Sequence, residues 1–163
     1  MMLYVMPQGL CLSRAINNKQ PLSPQGREQV NKAALVFKRL LLGFDYLLSG
    51  PTPGSLETAA IIAATLGYPE QAVSCADALR PGAPMANLIT TLEGIDPKAG
   101  VFLVGAQTAL EHFLEAVMHW GVKGSLVMQP AGLTCVEIMS FDPLRGQLWW
   151  HFNPRQIQLI AGA

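Results

Sequence analysis

Charge is the scarcest property of this sequence. Aspartate, glutamate, lysine and arginine together make up 13% of the residues, and eleven basic residues balance eleven acidic ones. The lysines and arginines are scattered along the chain and form no basic cluster. Because binding to nucleic acid or to an anionic membrane surface requires concentrated positive charge, neither partner is expected.

Long apolar runs are also missing, although half of the residues are hydrophobic. No stretch reaches the ~20 apolar residues that a transmembrane helix needs. The apolar N-terminus lacks the positive leader of a signal peptide, and Pro7 and Gly9 interrupt it. The sequence therefore predicts a cytoplasmic protein with one domain over residues 1–163 and a full hydrophobic core.

Metal-ligating and nucleophilic motifs are absent as well. Cys11, Cys75 and Cys135 are far apart, with no CxxC pair and no nearby histidine, which predicts reduced, mostly buried thiols and no metal site. No phosphate-binding loop, dinucleotide fingerprint or Gly-x-Ser-x-Gly turn is present, and no cofactor is expected. The three histidines are expected to be packed or half-exposed structural residues: His112, His119 and His151.

What the sequence does contain is an alternation of strand and helix patterns. Helix start signals of the type Ser-Pro and Thr-Pro occur at Ser23 and Thr52. Strands are predicted at Leu3–Met6, Tyr46–Ser49, Val101–Val104, Ser125–Gln129, Thr134–Phe141 and Gln147–Phe152. Helices are predicted at Ser23–Gly43, Thr52–Gly67, Pro84–Leu92 and Ala109–Trp120. Leu40 and Leu41 are expected on the apolar face of the first helix, and Gly121 is expected to end the last one.

This alternation predicts an α/β fold, with a mostly parallel sheet covered by helices on both faces. Ser74–Leu79 fits no single element, and Asp142–Gly146 reads as a hairpin loop that adds an antiparallel edge. Ligands in such sheets bind where strands end and helices begin. The expected site therefore combines three turns: Pro7-Gln8-Gly9, Gly50-Pro51-Thr52 and Gly105-Ala106-Gln107.

Five segments carry a family resemblance through their order and spacing. They are Met2–Gly9, Pro21–Gly26, Phe44–Gly67, Leu79–Gly82 and Leu103–Gln107. In these segments the chain resembles the histidine phosphatase superfamily, and within it the small SixA-like phosphohistidine phosphatases. The resemblance covers Met2 to about Pro154. It implies a phosphoglycerate mutase-like fold, a three-layer αβα sandwich.

The catalytic positions that the resemblance implies hold unusual residues. Gln8 stands where the family has its nucleophilic histidine, and Pro7 stands where an arginine grips the phosphoryl oxygens. Gly54 replaces a second arginine, and Ala106 replaces a second histidine. A carboxamide is not basic enough to attack phosphorus. The implied catalytic set is therefore missing, which predicts an inactive binding or regulatory protein.

Alternatives remain open. A rebuilt phosphatase or hydrolase site could use Arg14 or Arg80 as its cation, and a third possibility is an interaction module that uses its surface. The candidate pocket lining is Gln8, Gly9, Arg14, Thr52, Ser55, Arg80, Gln107 and Thr108. The expected partner is an unidentified protein or a small anionic ligand. Trp149, Trp150 and Phe152 are expected to alternate between core and surface on a terminal strand. An exposed patch for self-association is the less favoured interpretation, so a homodimer stays open beside a monomer.

Overall fold

A six-stranded sheet forms the centre of the molecule in a computed structural model, which describes residues 1–118 and 126–162. The strand order is β3-β2-β4-β1-β5-β6. The strands are β1 Met2–Pro7, β2 Tyr46–Ser49, β3 Val73–Cys75, β4 Gly100–Gly105, β5 Leu133–Phe141 and β6 Leu144–Phe152. The pairs β1–β4, β2–β4 and β2–β3 are parallel, and β5 is antiparallel to both β1 and β6. This is the mostly parallel sheet with an antiparallel edge that the sequence predicts.

Helices cover both faces of this sheet. They are α1 Pro24–Arg39, α2 Pro53–Leu66, α3 Met85–Glu93, α4 Gln107–Met118 and α5 Pro154–Gly162. One hydrophobic cluster joins α1, α2 and α5 to one face, and a second joins α3 and α4 to the other. The continuous apolar sequence of β1 and β4 follows from this arrangement, because strands covered on both faces bury every side chain. The three-layer αβα prediction is confirmed.

The predicted helix starts are also confirmed. Ser23 Oγ accepts a hydrogen bond from the N–H of Gly26 at 3.0 Å, and Pro24 occupies the first helical position of α1. Thr52 Oγ1 accepts the N–H of Ser55 at 3.3 Å at the start of α2. Capping of this kind orients both helices with their N-termini toward the carboxyl end of the parallel strands.

The end of α1 differs from the prediction. The helix ends at Arg39 and not at Gly43, because Leu41 adopts a left-handed conformation with φ of 54°. The N–H of Leu41 then donates to Lys38 O, and the N–H of Leu42 donates to Phe37 O, which is a Schellman motif without its usual glycine. Leu41 is 92% exposed, so the buried face of α1 does not extend to it as expected.

The C-terminal third contains the largest errors of sequence-based prediction. Residues 126–129 form no strand, and it is β5 that pairs with the edge of β1. The hairpin loop is shorter than expected, since β6 begins at Leu144. Helix α5 was missed, although Asn153 and Gln156 form a reciprocal cap in which each side-chain oxygen accepts the other's N–H, at 3.0 and 2.9 Å. Four residues named in the predictions lie outside the described residues. They are His119, Trp120 and Gly121 at the predicted end of α4, and Ser125 at the start of the predicted strand.

The cysteines and the described histidines differ in how far they are buried. All three cysteines are free thiols. Cys135 is buried, Cys11 is half-buried and Cys75 is exposed. The prediction of mostly buried thiols therefore holds for Cys135 alone. His112 lies on the exposed face of α4, and His151 lies 2.8 Å from Thr134 through Nδ1 and Oγ1, with its pKa lowered by burial. The described residues contain no group of ligands suited to a metal ion, and no described helix is long and apolar enough to cross a membrane.

Candidate functional site

A pocket of about 430 Å³ lies at the carboxyl end of the parallel strands, where the sequence places the site. Gln8 follows β1, Thr52 precedes α2 and Ala106 joins β4 to α4. The parallel register of β1 and β4 brings these turns together, because Pro7 pairs with Gly105 and the N–H of Gln8 donates to Gly105 O at 3.0 Å. The lining residues are Gln8, Gly9, Leu10, Cys11, Lys19, Gln20, Thr52, Pro53, Pro81, Ala106, Gln107 and Pro130. We call this cavity the Gln8 pocket.

The side-chain amide of Gln8 is held on both sides. Its Oε1 lies 2.7 Å from Thr52 Oγ1 and 2.8 Å from Ser55 Oγ, both of which can donate to it. Its Nε2 donates to Cys11 Sγ at 3.3 Å. Thr52 Oγ1 is also 2.9 Å from Ser55 Oγ, so the single Thr52 proton serves one acceptor at a time. The amide therefore has one orientation, fixed by neutral groups from the loop after β1 and from the start of α2.

Cys11 fills the space beside Gly54. A Cβ atom added at Gly54 would lie 2.5 Å from Cys11 Sγ and 3.0 Å from Gln8 Nε2. Cys11 is fixed there by a β-bridge to Leu22 and by a hydrogen bond from its thiol to Gly9 O at 3.4 Å. A side chain at position 54 would therefore require Cys11 and Gln8 to shift from the positions that their hydrogen bonds give them.

A second layer of hydrogen bonds ties β1 to α2 beneath the pocket. The N–H of Gly9 donates to Thr58 Oγ1 at 3.0 Å, and the Thr58 hydroxyl donates to Gly54 O at 2.7 Å. Ser55 and Thr58 are fully buried, and both have partners. The region around Gln8 is therefore a closed network with its buried polar groups satisfied.

The junction between β4 and α4 has a different character. Ala106 carries no polar side-chain atom, and its N–H lies 3.5 Å from Leu79 O. Gln107 turns away from Gln8, because its Nε2 donates to Met128 O and to Glu111 Oε1, each at 2.9 Å. This wall of the pocket is therefore formed by a methyl group and by an amide already engaged in holding the neighbouring loop.

The electrostatics of the pocket are weak. Lys19 is the one charged side chain among the described residues that line it. Burial raises the pKa of the Cys11 thiol, the Glu57 carboxylate adds to the rise, and the hydrogen bond from Gln8 opposes it. Since only the thiolate is a strong nucleophile, Cys11 stays protonated and unreactive at neutral pH.

The structure brings only part of the predicted set to the pocket. Gln8, Gly9, Thr52 and Gln107 line it, together with Ala106, and Ser55 lies buried beneath it as a partner of Gln8. Arg14, Arg80 and Thr108 are exposed and are not among its lining residues. Arg80 instead donates from Nε to Asp77 Oδ2 at 2.9 Å. Sequence reasoning missed Cys11 and Lys19, and no motif marks either of them.

Comparison with known proteins supports the fold through structure and not through sequence. No protein-family model matches the chain, and none of the curated proteins matches it. The protein histidine phosphatase SixA in complex with tungstate matches with a TM-score of 0.83 at 15% identity, over 96% of this chain and 99% of that one. Phosphoserine phosphatase from Entamoeba histolytica in complex with 3-phosphoglyceric acid matches with a TM-score of 0.68 at 15% identity, over 96% and 98% of the chains.

A mycobacterial glucosyl-3-phosphoglycerate phosphatase in complex with VO3 is also similar. Its TM-score is 0.67 at 18% identity, and the alignment covers 90% of this chain and 96% of that one. At these identities the likeness establishes the fold alone. It confirms the phosphoglycerate mutase-like, SixA-like fold that the sequence resemblance implies.

Proposed function

We propose that this chain is a non-catalytic binding protein built on the histidine phosphatase fold. The observation that carries the proposal is the fixed neutral amide at the end of β1, where the resemblance places the nucleophile. Gln8 is held by Thr52, Ser55 and Cys11, and none of these groups is charged at neutral pH. No side chain in this network can accept a phosphoryl group from phosphohistidine by the route that the resemblance implies.

Missing cations support the same conclusion. Phosphoryl transfer depends on positive groups that face the equatorial oxygens of the transferred group. Loss of one such electrostatic donor commonly costs about 3–4 kcal/mol of transition-state stabilisation. Pro7, Gly54 and Ala106 offer no charge, and the space that an arginine side chain would need at Gly54 is taken by Cys11. The site is therefore packed for a different use and has not merely lost single groups.

The pocket is suited to a polar group that accepts and donates hydrogen bonds. Gln8 Nε2 has a second proton beyond the one given to Cys11, and Lys19 supplies a single positive charge at the margin. A carboxylate or an amide of a partner fits this chemistry better than a doubly charged phosphate. We therefore propose a protein partner, with a small anionic ligand as the weaker fit.

A turnover assay with two substrates tests the proposal. The purified protein is incubated with a phosphorylated histidine-containing domain and with an aryl phosphate, and a phosphatase of the same fold serves as the positive control. We expect no turnover above buffer for either substrate. Turnover that disappears in the Gln8→Leu variant would overturn the proposal, whereas turnover that persists in this variant comes from a contaminant or from another site.

Anion affinity provides a second measurement. Because one lysine faces the Gln8 pocket, we expect tungstate and phosphate to bind with Kd weaker than about 1 mM. Two-dimensional NMR titration, read at the Gln8 side-chain amide, measures this directly. Tight oxyanion binding at Gln8 would contradict the proposed neutral binding site.

A further inference from the structure

Three adjoining cavities form a trench that extends well beyond the Gln8 pocket. A channel of about 240 Å³ is lined by Leu10, Gln29, Gln129, Pro130 and Pro154, and it shares Leu10 and Pro130 with the Gln8 pocket. A further cavity of about 440 Å³, the α1–α5 pocket, shares Gln29, Gln129 and Pro154 with the channel. A ligand lying along all three would be elongated, because the end cavities have no lining residue in common.

The trench is lined above all by glutamine. Glutamines contribute to all three cavities: Gln8, Gln20, Gln25, Gln29, Gln107, Gln129 and Gln158. An amide carries both a donor and an acceptor, which matches the alternating C=O and N–H groups of an extended polypeptide, and of these glutamines Gln8 Oε1 and Gln107 Nε2 are already bonded within the protein. The prolines among the lining residues add rigid apolar surface between the amides. This composition is suited to an extended polypeptide rather than to a compact ligand.

One of these glutamines lacks a partner. Gln29 lines both the channel and the α1–α5 pocket, and its Oε1 is buried without a hydrogen-bond partner in the described residues. Buried acceptors in folded proteins are almost always satisfied. A small rotation of the Gln29 side chain toward the trench would give this oxygen a backbone N–H of a bound segment.

Charge distinguishes the two ends of the trench from its middle. Lys19 lines only the Gln8 pocket, Arg155 lines only the α1–α5 pocket, and neither has an ion-pair partner in the described part of the chain. Lys32 also lines the α1–α5 pocket, but its Nζ lies 2.6 Å from Glu28 Oε1. Arg155 lies in the first turn of α5, where the helix dipole adds to its positive potential. The trench therefore presents one free cation in each end cavity.

We propose that the trench binds an extended acidic segment of a partner protein. Its backbone would follow the glutamines, and its carboxylates would reach Lys19 at one end and Arg155 at the other. This inference deepens the proposed binding function and rests on it for the use of the Gln8 pocket. A nucleic acid fits poorly, because its regular phosphates require many more cations than the trench offers.

Selection from a library of random peptides tests this directly. We expect the enriched peptides to be rich in aspartate and glutamate. Lys19→Glu and Arg155→Glu should each weaken the selected peptides about tenfold, measured by calorimetry, because each reversal replaces an attraction with a repulsion. Lys98→Glu and Arg145→Glu are matched controls at exposed positions outside the trench, and both should leave affinity unchanged.

Any of four outcomes would overturn the inference. The first is no enrichment over a surface without protein, the second is enrichment of peptides without acidic residues, and the third is equal weakening by the control variants. An effect of Lys19→Glu without an effect of Arg155→Glu would also overturn it, because binding would then be confined to the Gln8 pocket. The turnover assay gives an independent result. If the protein shows phosphatase activity and its trench binds acidic peptides, only the proposed non-catalytic function is refuted. If the protein is inactive and binds no peptide, only the proposed use of the trench is refuted.

Discussion

Two sides of the Gln8 pocket differ in how they are built: the junction at which the turn after β1 meets the start of α2, and the junction between β4 and α4. Around Gln8 and Gly54, a thiol, two hydroxyls and an amide form a closed network, and a new side chain has no room. At Ala106, only a methyl group lines the pocket, and the neighbouring Gln107 donates to Met128 O and to Glu111 Oε1. If the proposed loss of catalytic groups is correct, the first junction has been repacked, whereas the second has been truncated.

This difference teaches that absent catalytic groups can reflect two physical situations. A truncated position can regain a side chain at little cost to the fold. A repacked position resists the same change, because its neighbours have taken the space and the hydrogen bonds. The contrast between the junctions can therefore be measured as a difference in stability, independently of any activity.

The largest expected effect is that of Gly54→Arg. The new Cβ would meet Cys11 Sγ at 2.5 Å in a fully packed site, and we expect the free energy of unfolding to fall by about 3 kcal/mol. Chemical denaturation followed by circular dichroism measures this change. Ala106→Arg is the matched control at the other junction, and it should cost far less.

A second variant separates the clash from other causes. Cys11→Gly removes the thiol that occupies the space, so the double variant Cys11→Gly/Gly54→Arg should be less unstable than the sum of the single changes. Strict additivity of the two effects would contradict the repacked junction, since it would mean that Cys11 does not oppose a side chain at position 54.

Gln8→Leu should have the next largest effect. It removes the amide that accepts from Thr52 and Ser55, and we expect a loss of about 1–2 kcal/mol, because the two hydroxyls can still bond to each other. Gln107→Leu, the comparison at the other junction, removes a donor to Met128 O and to Glu111 Oε1 and should cost about 0.5–1 kcal/mol. Equal losses at both positions would remove the distinction between a closed and an open junction.

Thiol chemistry gives a smaller but site-specific readout. Burial raises the pKa of Cys11, and it raises that of Cys135 to about 12, so both thiols are protonated at neutral pH. Because alkylation requires the thiolate, we expect exposed Cys75 to react with iodoacetamide first, Cys11 later and Cys135 last. The Cys11 rate should rise with pH as its thiolate forms. Mass spectrometry of each cysteine peptide measures the order, and fast labelling of Cys11 at neutral pH would refute its protected position beside Gln8.

The layers of the fold and the position of the Gln8 pocket were predictable from sequence, because both follow from strong local signals. Apolar runs in β1 and β4 predict buried parallel strands, and the caps at Ser23 and Thr52 predict where α1 and α2 begin. Some failures occur where tertiary packing overrides local preference. The unpaired residues 126–129 are one example, because a strand forms only where a strand distant in sequence pairs with it. The left-handed turn at Leu41 is a different failure, since its hydrogen bonds are local but no glycine marks the position.

The composition of the site was harder to predict than its position. Cys11 and Lys19 lie in the loop before α1, where no periodic pattern fixes which residues turn toward Gln8. Their placement depends on the Cys11–Leu22 bridge and on the turns around Gln20, which has a φ of 48°. Helix α5, in contrast, carried a readable signal, because Asn153-Pro154-Arg155-Gln156 has the spacing of a capping box.

The smallest expected effect is that of Ala106→His. This position is partly exposed at the edge of the pocket, and its methyl group fills no closed packing site, so we expect the free energy of unfolding to change by less than about 0.5 kcal/mol. Thermal denaturation of the Ala106→His and Gly54→Arg variants under the same conditions measures the difference in stability cost between the two junctions. A large loss at Ala106 would show that this junction is repacked too. A small loss would mean that the loop around Gln8 and Cys11, and not the α4 junction, is the part of the pocket that resists a larger side chain.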